Sequence, residues 1–167
     1  YYGVKSNQVF VGVGSDDVLG MAFLTFFNSD KPILFPDITY SFYDVWADLF
    51  DIPYETIKID DNFEIIPEDY FRENGGIVFP NPNAPTAVEM SIDKVEEIIK
   101  NNQDSVVIVD EAYVDFGATS ALKFIEKYDN VLVVRTFSKS RSAAGLRIGY
   151  AMGNEKLISA MLAVKFS

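Results

Sequence analysis

The sequence contains neither cysteine nor histidine. Their absence excludes zinc sites built from thiolate and imidazole ligands, haem and iron–sulfur ligation, and nucleophile systems that rely on Ser-His-Asp or Cys-His arrangements. Any proton transfer must therefore use a lysine, aspartate, glutamate or tyrosine side chain. We predict no metal site.

Basic residues are scarce, with 14 lysines and arginines against 25 aspartates and glutamates and a formal net charge of -11. This acidity argues against nucleic-acid partners, because lysine and arginine are what neutralise phosphates in such complexes. A site for an anionic ligand must therefore concentrate positive charge locally, against the field of the whole protein.

Long apolar runs and a leader-like N-terminus are missing as well. No run reaches the roughly 20 residues that span a bilayer, and residues 1–10 lack the basic-then-apolar layout of a signal peptide. These features predict a cytoplasmic protein without a membrane partner. The sequence begins without methionine and stops directly after an apolar helical pattern. We therefore expect a single domain, residues 1–167, of a longer chain.

The distribution of apolar residues predicts an α/β fold. Short β-branched and aromatic runs are each followed by a turn signal and then by a stretch with helical periodicity. The predicted strands are residues 9–13, 33–35, 54–59, 76–79, 106–109, 131–135 and 147–152. The predicted helices are residues 16–28, 40–50, 67–72, 92–102, 120–127 and 155–164, the fourth capped by Ser91.

Several predicted strands are apolar at successive positions, as in residues 105–110 and 130–136. Such runs are typical of strands that helices cover on both faces. We therefore predict a three-layer α/β/α sandwich around a mostly parallel seven-stranded sheet. The last strand follows the sixth after only a short loop, so it is expected to run antiparallel. Ligands of such sheets bind outside the carboxyl ends of the strands.

Polar residues follow several of these strands and leave two interpretations open. Gly14, Ser15 and Asp16 open a helix, where free N–H groups could hold an anion or where a turn and a cap could simply form. No nucleotide-binding glycine pattern accompanies them. Tyr40 could cover a flat ring or belong to the core, and residues 81–86 could be functional or a rigid connector.

Two charged residues stand at the ends of inner strands. Asp110 ends a buried strand, and an isolated buried charge is costly, so its carboxylate must either accept local N–H groups or face a cationic ligand atom. Tyr113 follows closely enough to share that site. Lys139 is unusual at such a position, because lysine is seldom buried unless it is paired.

Five segments together resemble the class I/II pyridoxal-phosphate-dependent aminotransferases of fold type I. They are residues 13–16, 81–86, 109–113, 136–139 and 144–147. Within the class, the first and third segments are most similar to the histidinol-phosphate aminotransferases. The resemblance covers nearly the whole chain and corresponds to the large, cofactor-binding domain. It implies amino transfer between L-histidinol phosphate and 2-oxoglutarate in histidine biosynthesis.

The resemblance also implies catalytic roles for individual residues. Lys139 would attach pyridoxal phosphate through its amine and later move a proton at the substrate α-carbon. Asp110 would keep the pyridine nitrogen protonated, and Tyr113 would hydrogen-bond the phenolic oxygen. Tyr40 would stack on the ring.

The cofactor phosphate would lie among donors from three segments of the chain. By resemblance these are the turn at Gly14, Ser15 and Asp16, the hydroxyls of Thr136 and Ser138, and the guanidinium of Arg147.

Two positions depart from the family pattern. Ala84 stands where members usually carry an asparagine that reaches the phenolic oxygen, so Asn83 is a candidate substitute. Ala87 stands where a glycine is usual. We expect the N-terminal arm and small domain of the family, including the arginine for the substrate carboxylate, to lie outside these residues, and Arg141 is not assigned that role. The 167 residues alone are expected to turn over little substrate.

Other functions share these motifs. Other class I/II aminotransferases and threonine-phosphate decarboxylase carry them, and so do aminotransferase-like modules of regulators that sense the cofactor. A doubly wound domain without a cofactor is the remaining alternative. Because family members are homodimers, the resemblance also implies a homodimer.

Overall fold

The computed structural model describes residues 2–165, which form one seven-stranded sheet with helices on both faces. The strands are β1 (Val9–Gly12), β2 (Ile33–Pro36), β3 (Tyr54–Ile57), β4 (Gly76–Pro80), β5 (Val107–Asp110), β6 (Val131–Thr136) and β7 (Gly149–Gly153). The helices are α1 (Ser15–Phe26), α2 (Tyr43–Leu49), α3 (Ile92–Asn101) and α4 (Glu155–Val164). Short 3₁₀ helices span Ser6–Gln8, Pro67–Tyr70, Val114–Phe116, Ala121–Phe124 and Ala144–Leu146.

The strand order is β1-β7-β6-β5-β4-β2-β3. Strand β7 runs antiparallel to both of its neighbours, and all other neighbouring pairs are parallel. The predicted mixed sheet and its antiparallel last strand are therefore confirmed. Strand β5 occupies the centre of the sheet, so its carboxyl end is flanked by strands on both sides.

Alternate residues of each inner strand supply the two cores. In β6, Val131 and Val133 belong to the cluster that packs with α3, while Leu132 and Val134 belong to the cluster that packs with α1, α2 and α4. Successive side chains of a strand point to opposite faces, so a strand covered on both faces must be apolar at every position. This explains the uninterrupted apolar runs in the sequence.

Two predicted helices are wrong. Residues 67–72 and 120–127 form only the short 3₁₀ helices Pro67–Tyr70 and Ala121–Phe124. In the second segment Ser120 caps the first turn by accepting the N–H of Leu122, and the buried Glu111 carboxylate accepts the N–H of Ala121 at 2.6 Å. The Ile125 and Lys127 N–H groups donate to carbonyls three residues back, as in a 3₁₀ helix, whereas the Tyr128 N–H donates four residues back.

The other helices and strands agree with the prediction to within a few residues. Helix α4 has the predicted bounds, and Ser91 caps α3 by accepting the N–H of Lys94. Helix α2 begins at Tyr43 instead of Tyr40. Within residues 2–165, no helix combines the length and apolar character needed to cross a membrane.

Gly149, at the start of β7, lets the turn before α1 lie directly against the sheet. A Cβ atom on Gly149 would overlap the Gly14 carbonyl carbon and the Ser15 nitrogen. The position therefore requires glycine for space, since backbone atoms, unlike the end of a flexible side chain, cannot move aside easily.

We expect Gly149→Ala to lower the free energy of unfolding by about 1–3 kcal/mol, because the added methyl overpacks against backbone. Urea unfolding at neutral pH measures the change. Gly145→Ala is the control, since a Cβ atom at Gly145 meets nothing within 4 Å. Equal midpoints for the two variants would contradict the expectation.

Candidate active site

A cavity of about 270 Å³ opens at the carboxyl ends of the central strands. Segments that are far apart in sequence meet there, as the strand-end position predicts. Its lining residues are Ser15, Asp16, Tyr40, Pro80, Ala84, Asp110, Ala112, Tyr113, Ser138, Lys139, Ala144 and Arg147. Eight of the eleven residues predicted to bind cofactor are in this set. The other three, Gly14, Asn83 and Thr136, are not.

Asp110 is the buried carboxylate of the cavity, with 5% of its surface exposed. The Tyr43 hydroxyl donates to Oδ2 at 3.0 Å, and the Ala112 N–H donates to Oδ1 at 3.1 Å. Burial raises the pKa of Asp110 to about 6, and the two donors oppose that effect without cancelling it. The carboxylate is thus held in place, and no cationic side chain among residues 2–165 pairs with it.

Tyr43 is a residue that sequence reasoning missed. It is fully buried at the start of α2, and its ring packs against Phe35 and Tyr40. Burial raises the pKa of its hydroxyl well above the usual value, so it stays a hydrogen-bond donor. In the sequence a tyrosine three residues after Tyr40 looks like an ordinary core aromatic, and no local signal points to Asp110.

The first turn of α1 also lines the cavity. Gly14, at the N-cap, has φ +90° and provides no side-chain cap, so the first N–H groups of the helix have no capping partner. Ser15 and Asp16 line the cavity there. The Asp16 carboxylate accepts the Tyr40 hydroxyl at 2.8 Å and fixes that ring at the cavity wall.

Arg147 lies beside this helix end. A Cβ atom on Gly14 would come within 2.5 Å of Arg147 Nη2, so the glycine makes room for the guanidinium. Arg147 itself has φ +51°, which turns the chain back into β7 after the 3₁₀ helix Ala144–Leu146. Among residues 2–165 no carboxylate forms an ion pair with Arg147, so its charge remains available to an anionic ligand.

Lys139 lines the cavity from the loop after β6. Its Nζ lies 5.2 Å from the centre of the Tyr113 ring, and the residue is solvent-exposed. Its side chain forms no hydrogen bond or ion pair with the described part of the chain. Lys139 follows an inner strand without being buried, so its side chain is open to solvent and needs no partner.

The hydroxyls after β6 differ in their surroundings. Ser138 lines the cavity, whereas the buried Thr136 does not and instead accepts the Ser138 N–H on its hydroxyl at 3.1 Å. In this structure Thr136 shapes the turn that presents Ser138.

Asn83 does not reach the cavity either. Its amide nitrogen donates to the Ile38 carbonyl at 2.9 Å, and its amide oxygen accepts the Thr39 hydroxyl at 3.1 Å. Ala84 lines the cavity in its place. The amide of Asn83 is thus used to hold the loop after β2, and the structure brings no asparagine to the position that the family pattern occupies.

The donors and acceptors of the cavity fit pyridoxal phosphate. Two cationic side chains without carboxylate partners, an uncapped helix N-terminus and the Ser138 hydroxyl suit a phosphate and an aldehyde. A buried carboxylate with a raised pKa suits a ring nitrogen that carries a proton. This charge separation across one cavity is what the cofactor requires.

The raised pKa of Asp110 predicts a pH-dependent stability. An aspartate whose folded pKa lies above its unfolded value destabilises the fold as pH rises from about 4 to 6, and the loss persists at pH 7. Without cofactor, Asp110→Asn should therefore be more stable than the wild type at pH 7, by up to about 3 kcal/mol, and close to it near pH 4.

Urea unfolding at the two pH values measures this difference. Asp61→Asn removes an exposed carboxylate on another loop and is the control for loss of a charge. A variant at position 110 that is less stable than the wild type at pH 7 would show that the carboxylate is satisfied without a ligand.

The comparisons with known proteins agree with this geometry. The family model for aminotransferase class I and II matches residues 1–166. Histidinol-phosphate aminotransferase 1 of Hydrogenovibrio crunogenus (strain DSM 25203 / XCL-2) is 57% identical over 167 residues, which is 100% of this chain and 47% of that protein. Histidinol-phosphate aminotransferase of Lactococcus lactis subsp. cremoris (strain MG1363) is 53% identical over the same shares.

The fold is similar to that of solved aminotransferases. The crystal structure of the histidinol-phosphate aminotransferase from Clostridium acetobutylicum superposes with a TM-score of 0.87 at 21% identity and covers 95% of this chain and 49% of that one. The chain therefore spans about half the length of the relatives that it matches. With the family model matched over nearly its whole length, the chain belongs to the class I and II aminotransferases, whose cofactor is pyridoxal phosphate.

Proposed function

We propose that this chain is the pyridoxal-phosphate-binding part of a histidinol-phosphate aminotransferase. The observation that supports it best is the single cavity in which Asp110, Lys139 and Arg147 meet the N-terminus of α1. These residues are supplied by three different strand ends, β5, β6 and the turn into β7. A doubly wound domain without a cofactor gives no reason for a buried carboxylate and two uncompensated cations at one place.

The phosphate end of the cofactor is assigned to the α1 turn. The N–H groups at Ser15 and Asp16, the Ser138 hydroxyl and the Arg147 guanidinium would hold it. A dianion there meets the positive end of a helix dipole and an arginine whose planar donors suit two phosphate oxygens. This local charge overcomes the negative field of the protein as a whole.

The ring end is assigned to Asp110, with Tyr40 and Tyr113 on the walls. Pyridoxal phosphate supplies an aldehyde that condenses with amines and a protonated ring that draws electrons from the reacting carbon. Asp110 would hold the proton at the ring nitrogen. A cationic partner would also return the pKa of Asp110 toward its ordinary range, because opposite charges favour each other's ionised forms.

Lys139 is assigned to cofactor attachment and to proton movement at the substrate α-carbon. Its Nζ is free of carboxylate partners among residues 2–165 and lies over the Tyr113 ring, so it can approach the cavity without breaking an ion pair. With histidine absent from the sequence, lysine is one of the side chains that can transfer a proton, together with aspartate, glutamate and tyrosine.

The amino donor is proposed from the relatives, two of which, at 57% and 53% identity, are named histidinol-phosphate aminotransferase. The reaction would exchange an amino group between L-histidinol phosphate and 2-oxoglutarate. We further propose that residues 1–167 form one cofactor-binding domain, with the arm, the small domain and the substrate-carboxylate arginine of the family outside it. A homodimer and a cytoplasmic location belong to the same proposal.

Lys139 should be the residue that bonds to the cofactor. Incubating the full-length protein with pyridoxal phosphate, reducing with borohydride and mapping the peptides should locate the label on Lys139, because no other lysine among residues 2–165 lines the cavity. Lys139→Ala should lose the label. Lys123→Arg, which changes an exposed lysine beside Phe124, should keep it. A label on another lysine of the wild type would overturn the assignment.

The substrate is tested on the full-length protein by comparing kcat/KM for three amino compounds. The kcat/KM for L-histidinol phosphate should exceed that for L-aspartate by about tenfold or more. A site that hydrogen-bonds the polar groups of its substrate discriminates against a compound without those groups, because its own polar groups are then left unpaired. L-Threonine O-phosphate should give no carbon dioxide. Faster decarboxylation than transamination would identify the protein as a decarboxylase of the same class.

A further inference from the structure

A charged cluster lies just outside the cavity, beneath the loop that carries Lys139. Its centre is the Asp115 carboxylate in the 3₁₀ helix Val114–Phe116, and Asp115 is not among the residues that line the cavity. The sequence motifs give it no role. Its contacts connect the two segments that bring Tyr113 and Lys139 together.

The Asp115 carboxylate accepts two hydrogen bonds and forms a longer ion pair with a third side chain. The Ser140 hydroxyl donates to Oδ2 at 2.7 Å, Arg141 Nε donates to the same oxygen at 3.0 Å, and Arg135 Nη1 lies 3.8 Å from Oδ1. We call these four residues the Asp115 clamp. The Ser140 and Arg141 donors hold the pKa of Asp115 below its usual range, so the carboxylate is ionised at neutral pH.

The clamp is anchored on a buried ion pair. Arg135 donates from Nε to Glu111 Oε2 at 2.9 Å and from Nη2 to the Ser120 hydroxyl at 2.7 Å. The side chains of Arg135 and Glu111 are only 8% and 1% exposed, so the two cannot separate without leaving a buried charge unpaired. The Asp115 side chain is 28% exposed and connects this buried ion pair to the loop.

Two further contacts attach the loop to the rest of the chain: Arg141 Nη2 donates to the Tyr2 hydroxyl at 3.4 Å, and the Ala143 N–H donates to the Phe137 carbonyl at 3.0 Å. Residues 139, 141, 142 and 144–147 are exposed, and within the loop Ser142 N–H donates to the Lys139 carbonyl at 2.9 Å. The Lys139 side chain contacts the Tyr113 ring and has no hydrogen bond to residues 2–165. The position of Nζ therefore depends on where the backbone at Ser140 and Arg141 is fixed.

Tyr113 and Asp115 belong to the same turn. The Phe116 N–H donates to the Tyr113 carbonyl at 3.1 Å, so the ring under Lys139 and the carboxylate that holds the next two residues move as one unit. An isolated surface ion pair contributes little to stability. A carboxylate that accepts hydrogen bonds from both Ser140 and Arg141, however, fixes the positions of the two residues that follow Lys139.

We propose that Asp115 is a positioning residue that fixes the loop at Ser140 and Arg141 so that the Lys139 amine stays over Tyr113 at the cavity. The proposal rests on the proposed function, in which Lys139 bonds to the cofactor. It assigns Asp115 no contact with cofactor or substrate. Its effect is on the rate at which the amine reaches a productive place, where small displacements are costly.

Two measurements on the full-length protein test this. In the first, borohydride traps pyridoxal phosphate on Lys139 at a series of times. Asp115→Ala should slow trapping by about tenfold, because the loop loses the contacts of both Ser140 and Arg141 with the carboxylate. Asp115→Asn should slow it less, by about threefold, because an amide oxygen still accepts the Ser140 hydroxyl while the charge is gone. Glu73→Gln, which breaks an exposed ion pair with Lys31, should leave the rate unchanged.

In the second, amide hydrogen exchange is followed without cofactor. Asp115→Ala should accelerate exchange in residues 139–146 and leave β5 and β6 protected, because the effect is local. Wild-type trapping rates in both Asp115 variants would overturn the proposal, as would loss of protection throughout β5 and β6, which indicates a purely structural role. If Asp115→Ala does not fold, Asp115→Asn and Ser140→Ala decide. Failure of the wild-type protein to label at Lys139 would instead overturn the proposed function.

Discussion

The arrangement of the site depends on the burial of the Asp110 carboxylate. Asp110 ends the central strand of the sheet, with Pro80 and Val134 as its neighbours on the flanking strands. Neither side can solvate a carboxylate, so the fold supplies two donors, from Tyr43 and from the Ala112 N–H. Those donors do not offset the full cost of burial, because the pKa of Asp110 remains raised to about 6. The same cavity is also lined by Lys139 and Arg147, neither of which pairs with a carboxylate among residues 2–165.

The positive charge at the cavity results from the placement of Arg147 and the N-terminus of α1 by the backbone, since basic residues are few in the chain. The protein carries a net charge of -11, yet Arg147 faces the N-terminus of α1 without a carboxylate partner among residues 2–165. Glycine at position 149 lets the α1 turn lie on β7, and the left-handed backbone of Arg147 returns the chain to that strand. Because β7 is antiparallel, its amino end lies at the same edge of the sheet as the carboxyl ends of the parallel strands. Arg147, two residues before β7, is therefore placed at that edge.

Much of the fold could be predicted from the sequence, because it follows from patterns that are local. Apolar runs predict strands covered on both faces, and a short connection predicts the antiparallel β7. What failed was set by contacts between distant residues. Residues 120–127 form only a short 3₁₀ helix, and the distant Glu111 carboxylate accepts the Ala121 N–H in its first turn. The position of Asn83 is likewise set by tertiary contacts, with the Ile38 carbonyl and the Thr39 hydroxyl, and its proposed role at the cofactor stays a prediction. Tyr43 was missed for the same reason, since only tertiary packing places its hydroxyl on Asp110.

The neighbouring carboxylates Asp110 and Glu111 show how one strand end can serve two purposes. Successive side chains of a strand face opposite sides of the sheet. Asp110 therefore meets Tyr43 on the α2 side, while Glu111 meets Arg135 and the Ala121 N–H on the other. Burial raises the pKa of both carboxylates, but Glu111 pairs with Arg135, whereas no cation among residues 2–165 pairs with Asp110. Arg135 also lies 3.8 Å from Asp115, which in turn accepts the Ser140 hydroxyl and Arg141 Nε in the loop that carries Lys139. The alternation of side chains at the end of β5 thus directs Asp110 into the cavity and Glu111 to the ion pair beside Asp115.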